Sequence, residues 1–308
     1  MSSTSVSRIV VVSRPTEYAA LLARHGTREQ ARFFLESRGR SIDEAISRDE
    51  AQRAAMATIA AGIPSDWRRA RVDRADLDRF LFEPEDIVVT VGSSGLVANV
   101  AKYLAGQPVI GVNPDPRVHA GIVAAHAPET AVTLIHAAAA RDVVTDDRTM
   151  VEAVLDDGQR LLALNEVFLG HLSHQTARYS LQCPAGSERQ ASSGIVVATG
   201  TGATGWGRSI ALERHSLLSL PAPGESRLAF FVREAWPSST YGATVTEGLL
   251  GSHDELIVTS ALDDSGVVFG DGIENDRLEF RWGVAAHVRV APERLRLVTT
   301  AVNTPRES

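Results

Sequence analysis

Three short stretches of this chain carry residue types that could do chemistry together. Gly92-Ser93-Ser94-Gly95 stands between an apolar, β-branched run and a helical pattern. Glycine permits a tight turn and close approach there, and the N–H groups of a helix start favour a phosphate. The loop has neither the lysine of a P-loop nor the spacing of a dinucleotide fingerprint, so a plain strand-to-helix turn stays open beside the phosphate reading. Thr199-Gly200-Thr201-Gly202-Ala203-Thr204-Gly205-Trp206-Gly207 is richer. Its backbone donors, three hydroxyls and indole suit a ribose, a phosphate or an adenine. The bland alternative is a glycine-rich turn beside a core tryptophan. Asn165-Glu166 interrupts the apolar run 161–169, so at least one of the pair faces a core. Burial without a partner is costly, which requires an internal hydrogen bond or a ligand.

Other chemistries lack their residues. His171 and His174, followed by Arg178, have no third ligand in an HExxH or similar pattern, so no metal site is expected. No serine sits in a GxSxG elbow. The single cysteine, Cys183, excludes an intramolecular disulfide and reads as a small strand residue. A net charge of −7 with mixed signs argues against a nucleic-acid surface, which wants clustered Lys and Arg. The strongest basic cluster, Arg68-Arg69-Ala70-Arg71, reads as a solvated helix end or loop. No stretch reaches the length of a membrane span, and the polar start Met1-Ser2-Ser3-Thr4 makes no secretory signal. A soluble cytoplasmic protein without a membrane partner is the expectation.

The elements that must position these residues follow from hydrophobic pattern. The first half alternates strand and helix: strand 9–12, a helix capped by Thr27 running to about 37, a helix 42–61, strand 86–91, a helix 96–104 and strand 108–112. Thr27 and Gln30 have capping-box spacing. Strand, glycine loop, helix, strand is a βαβ unit whose ligand edge lies at the carboxyl ends of its strands. After about residue 125 the pattern turns to short strands at 131–136, 161–169, 178–183, 194–199, 228–232, 255–260 and 266–269, with one good helix, after Gly205. Asp271-Gly272 is a hairpin turn signal, and the apolar residues at 288–298 read as strands. At 44% apolar and 308 residues the chain has material for two domains, the second resembling a β-sandwich.

Taken in order, these pieces resemble the NAD kinase family, nearest its mitochondrial-type branch, over roughly residues 88–298. The resemblance rests on the strand-loop-helix at Gly92, on Asn165-Glu166, on Ser192-Ser193-Gly194 leading into 199–206, and on Asp271-Gly272. It implies a Rossmann-like α/β domain over 1–125, completed by 285–308, a β-sandwich-like NAD-binding domain over 126–284, and a nucleotide cleft. It also implies transfer of the terminal phosphoryl of ATP, with Mg2+, to the 2′-hydroxyl of NAD's adenosine ribose, by a homodimer or homotetramer. The family's Gly-Gly-Asp-Gly-Thr maps onto Gly92, Ser93, Ser94, Gly95 and Leu96, so serine stands where the family has its aspartate. Serine is a very poor base at neutral pH, and Glu166 is the carboxylate that could compensate. Asn165 and Glu166 match ribose-contacting residues; Thr199, Thr201, Gly202, Ala203, Thr204 and Trp206 fall on the NAD segment; Ser193 stands where many bacterial members have aspartate. Three readings follow: a kinase of weak or altered activity, a non-catalytic nucleotide-binding or regulatory homologue, and a kinase for another hydroxyl substrate.

Overall fold

The computed structural model describes residues 7–115 and 122–300, which form two compact units. The first unit spans 1–146 and 296–308, and the second 147–295. The sequence pattern had set the boundaries at 125/126 and 284/285.

In the first unit, β1 (Ile9–Ser13), β3 (Ile87–Val91) and β4 (Pro108–Val112) are continuous apolar runs, because the sheet they form is covered on both faces. With β2 (Arg69–Asp73) and the last residues of β16 (Ala285–Thr299) the order is β2-β1-β3-β4-β16, all parallel. Helices α1 (Glu17–His25), α2 (Arg28–Glu36) and α3 (Ile42–Gly62) connect β1 to β2. Each has a hydroxyl cap: Thr16, Thr27 and Ser41 accept from Ala19, Gln30 and Asp43 N–H groups. Helix α4 (Ser94–Ala101) follows β3 and packs on β3 and β4. It begins two residues earlier than its apolar pattern, since Ser93 takes the cap position and small polar residues suit a first turn.

Two sequence expectations fail in this unit. Residues 131–136 are not a strand but part of α5 (Pro128–Ala139). Pro128 opens that helix, and Ala131, Leu134, Ile135 and Ala138, spaced three and four apart, bury against β3 and β4. The run looked β-branched only because Val132, Thr133 and Ile135 fall close together. Arg69, Ala70 and Arg71 are not a helix end or loop but the edge strand β2, where paired backbone to one side suffices and charged side chains are tolerated.

The second unit is two packed antiparallel sheets. One holds β12 (Glu247–Leu250), β11 (Leu228–Arg233), β10 (Gly194–Ala198), β7 (Glu166–His171), β14 (Gly266–Gly270) and β15 (Ile273–Glu279), in that order. The other runs β9 (Gly186–Ser192), β8 (Ala177–Cys183), β13 (Leu256–Ser260), β16, with β5 (Val144–Leu155) beside β16 and β6 (Arg160–Ala163) beside β5. Their facing side chains, among them Val167, Ile195 and Phe230 against Tyr179, Leu181 and Val258, make one core. Helix α6 (Trp206–Glu213) covers the outer face of the first sheet with Ile210 and Ala211 on Val196, Ala229 and Phe231. That second covering explains why β10 is apolar throughout and β11 up to Arg233. The run 161–169 is two strands rather than one, broken at Leu164-Asn165.

Candidate functional site

The break at Leu164-Asn165 is the centre of the second unit's polar cluster. Asp271, in the β14–β15 hairpin, accepts the N–H groups of Leu164 at 2.8 Å and Asn165 at 2.7 Å, with Glu166 N at 3.4 Å. Asp271 and Gly272 both have left-handed backbone, φ 53 and 67, as the hairpin turn requires. From the other side Thr199, directly after β10, donates its hydroxyl to Leu164 O at 2.6 Å and its N–H to Asn165 O at 2.8 Å. The same hydroxyl oxygen accepts from Thr201 N at 3.1 Å and Gly202 N at 3.2 Å, which folds the glycine–threonine segment into a tight turn. Gly202 lies so close to the Asn165 carbonyl that a Cβ there would overlap it.

Electrostatics single out two groups in this cluster. Glu166 is half-buried and its carboxyl is pushed up to about 7, chiefly by burial and further by the negative charge of Asp271. Thr201 is 4% exposed and its hydroxyl has no hydrogen-bond partner. A buried hydroxyl left this way is costly, and the residues around it fit a ligand hydroxyl or phosphate oxygen. Ala203 N donates to Thr199 O, and Thr204 bonds back to Thr201 O, so both serve the turn itself. Trp206 opens α6, stacked on Phe168 at 6.1 Å with Arg233 over its ring at 5.5 Å. Ser193 is not brought into this cluster: it precedes β10 while Thr199 follows it, roughly 20 Å along the strand.

The remaining sequence candidates lie in the first unit. Its strand order 2-1-3-4 puts the topological switch point between β1 and β3, where open α/β sheets bind ligands outside the strand carboxyl ends. A cavity of ≈ 810 Å³ lies there, lined by Gly92, Ser93, Ser94 and Gly95 after β3 and by Thr16 after β1. Arg14, Arg48 and Arg74 line the same cavity, and sequence reasoning missed all three because they come from separate elements. Arg74 donates to Asn99 Oδ1 at 3.2 Å, and Arg48 is only loosely paired, 3.8 Å from Glu17. Glu17 itself is held by Arg40 at 2.7 and 3.0 Å. Ser94 Oγ accepts from Ile122 N at 3.2 Å and Val123 N at 3.4 Å, so its lone pairs anchor that segment.

Asp271 was legible only as a turn; its second role, holding the Leu164–Asn165 amides, carries no local signal. His171 Nδ1 accepts from Ser173 N at 3.0 Å, a loop contact. Among the described residues no three His, Cys, Asp or Glu side chains group to hold a metal ion. None of the described helices is long and apolar enough to cross a membrane.

An α/β unit with this sheet order, joined to an antiparallel sandwich carrying a Thr-Gly turn, is the architecture of the NAD kinase fold, and the chain has that fold. It is similar to yeast NADH kinase complexed with NADH, with a TM-score of 0.62 and 12% identity over 97% of this chain and 85% of that one. It is similar also to an NAD kinase from Archaeoglobus fulgidus in complex with ATP, with a TM-score of 0.57 and 16% identity over 95% of this chain and 93% of that one. No family model and no curated protein sequence matches the chain.

Proposed function

We propose that the protein is an NAD-kinase-type phosphotransferase, forming NADP from NAD and ATP, with its proton acceptor moved to Glu166. The observation that carries this reading is the convergence of Asn165-Glu166, the Thr199–Gly202 turn and Asp271 around the buried, unpartnered Thr201 hydroxyl. Asn165, Thr201 and Trp206 would hold the adenosine half of the dinucleotide. Glu166 would take the proton from the ribose 2′-hydroxyl as its oxygen bonds to the γ-phosphorus. The bond from that phosphorus to the β–γ bridging oxygen breaks, and ADP leaves with the electron pair. A carboxyl near 7 suits this task, since a general base works best close to the ambient pH.

The family resemblance implies Mg2+ with the ATP. Segment 92–96 itself carries no carboxylate, and Asp115, which lines the same cavity, is the residue that would hold such an ion beside the donor phosphates. Arg14, Arg48 and Arg74 around the 92–95 loop would meet further charge on a phosphate bound there. Ser193 supports placement near the mitochondrial-type branch, while Ser94 makes the first motif degenerate.

One observation favours a second reading. Ser94 is engaged by Ile122 and Val123 N–H groups, which fits a binding or regulatory homologue without catalysis. Incubation of purified protein with ATP and NAD, with Mg2+ or with EDTA, separates the two by an NADP-specific cycling assay. The first reading expects NADP, with Glu166→Gln lowering kcat about a hundredfold or more while the KM for NAD stays within a few-fold. Saturable NAD binding without any NADP would overturn the first.

A further inference from the structure

The first unit holds another cavity, which adjoins the one at the 92–95 loop and shares Arg14 and Thr16 with it. It has ≈ 750 Å³ and opens where α3 passes over the β1–β2 edge of the sheet. Val11, Met56, Ile59 and Ile63 make an apolar floor, and the small residues Ala57 and Ala60 of α3 leave the space above it open.

The register explains the rim. Ile9 pairs with Arg69 and Val11 with Arg71, while on the other side Ile9 pairs with Ile87 and Val11 with Val89. Ile9, Val11, Ile87 and Val89 all enter the core beneath α3. Directly opposite residues share a face of the sheet, so the rows that are apolar in the interior end at β2 in two arginines. Both are exposed, and their methylene stems can lie on apolar surface with the charged heads at the opening. Arg14 and Arg53 complete the rim.

The acids lining this cavity are already engaged. Asp49 accepts the Thr16 hydroxyl and pairs with Arg53, and Asp73 Oδ1 accepts Ala75 N at 2.9 Å. Among the described residues, Arg14, Arg69 and Arg71 have no ion-pair partner, in a chain of net charge −7. Three unpaired guanidinium groups around an apolar hollow of ligand size are complementary to one kind of molecule. We infer that this cavity binds an amphipathic anion, with its apolar body on the Val11–Ile59 floor and a carboxylate, sulfonate or phosphate head at Arg69 and Arg71. Arg14 also lines the cavity at the 92–95 loop, so the head-group assignment rests on Arg69 and Arg71, which line this cavity alone, and it stands without the phosphotransfer reading.

The fluorescent probe 8-anilinonaphthalene-1-sulfonate tests the assignment on the full chain. One probe should bind per protein, displaced by decanoate but not by equal inorganic phosphate or ATP. The double variant Arg69→Gln/Arg71→Gln should weaken binding tenfold or more, as loss of charge-assisted hydrogen bonds implies. Ala57→Phe should weaken it similarly by filling the cavity, with an unchanged thermal melt showing that the fold survives. Wild-type affinity in both variants overturns the inference, and so does displacement by ATP. Self-association of the double variant with unaltered probe affinity also overturns it, because the arginines would then serve only to keep the β2 edge from pairing.

Discussion

Glu166→Gln should leave stability unchanged near pH 4.5 and raise it near pH 8.5. The carboxyl titrates about 7 in the fold against 4.5 in the unfolded chain. Below about 4.5 both states are protonated, and the group contributes nothing. Between about 4.5 and 7 the unfolded chain gives up its proton while the fold keeps it, so the unfolded state binds fewer protons and stability falls as pH rises. Above about 7 both are ionised and the loss is complete. At about 1.4 kcal/mol per factor of ten the ceiling is about 3 kcal/mol, and solvent screening at a site that is not fully buried cuts it to about 1–2 kcal/mol. Glutamine has the same shape and no charge. The urea-unfolding free energies of wild type and Glu166→Gln should therefore coincide near pH 4.5 and differ by about 1–2 kcal/mol, in favour of the variant, near pH 8.5. A difference independent of pH, or a variant less stable at high pH, would refute the reasoning. The proposed catalytic role has the opposite sign: kcat should rise with pH to a plateau above about 7, as the base ionises. A charge that weakens the fold where it helps the chemistry is the mark of a functional group rather than a structural one.

Four further outcomes follow from the same geometry. Thr199→Val removes one donor and one acceptor that join Leu164 O, Thr201 N and Gly202 N; it should cost about 2–4 kcal/mol in urea unfolding and raise the NAD dissociation constant at least tenfold, with Thr199→Ser restoring both. Gly202→Ala drives a Cβ into the Asn165 carbonyl, so equilibrium dialysis should find NAD binding lost while circular dichroism shows the sheets retained. Ser94→Ala should speed amide exchange at Ile122 and Val123, whose acceptor it removes. Ser94→Asp keeps an acceptor there and should raise the NADP rate in Mg2+ while weakening ATP binding in EDTA; equal rates and affinities would show that this position does not govern donor charge.

What the sequence made legible divides by the range of the forces involved. Strands β1, β3, β4, β10 and β11 announce themselves because both faces of each are covered, and the cap Thr27 acts within three residues. Helix α5 was misread because its register, not its composition, decides its state: Ala131, Leu134 and Ile135 find a sheet to lie on. Strands β9 and β15, GSERQAS and IENDRLE, show no apolar run because each pairs only at a sheet edge. The site follows the same division. The Thr199–Gly202 turn is local, and its glycines and hydroxyls could be read directly. Asp271 could not, because its carboxylate meets amides more than a hundred residues away. The arginines of the first unit, one after β1, one on α3 and one after β2, likewise become a group only through the parallel sheet order. The missing aspartate at Ser94 therefore changes meaning once the fold is in view. On the sequence it is a loss at one position; in the structure the first unit carries arginines at the 92–95 loop and the second carries, at Glu166, a carboxyl pushed up to about 7, so the proposed base is tested by the protonation of Glu166 and not by Ser94 alone.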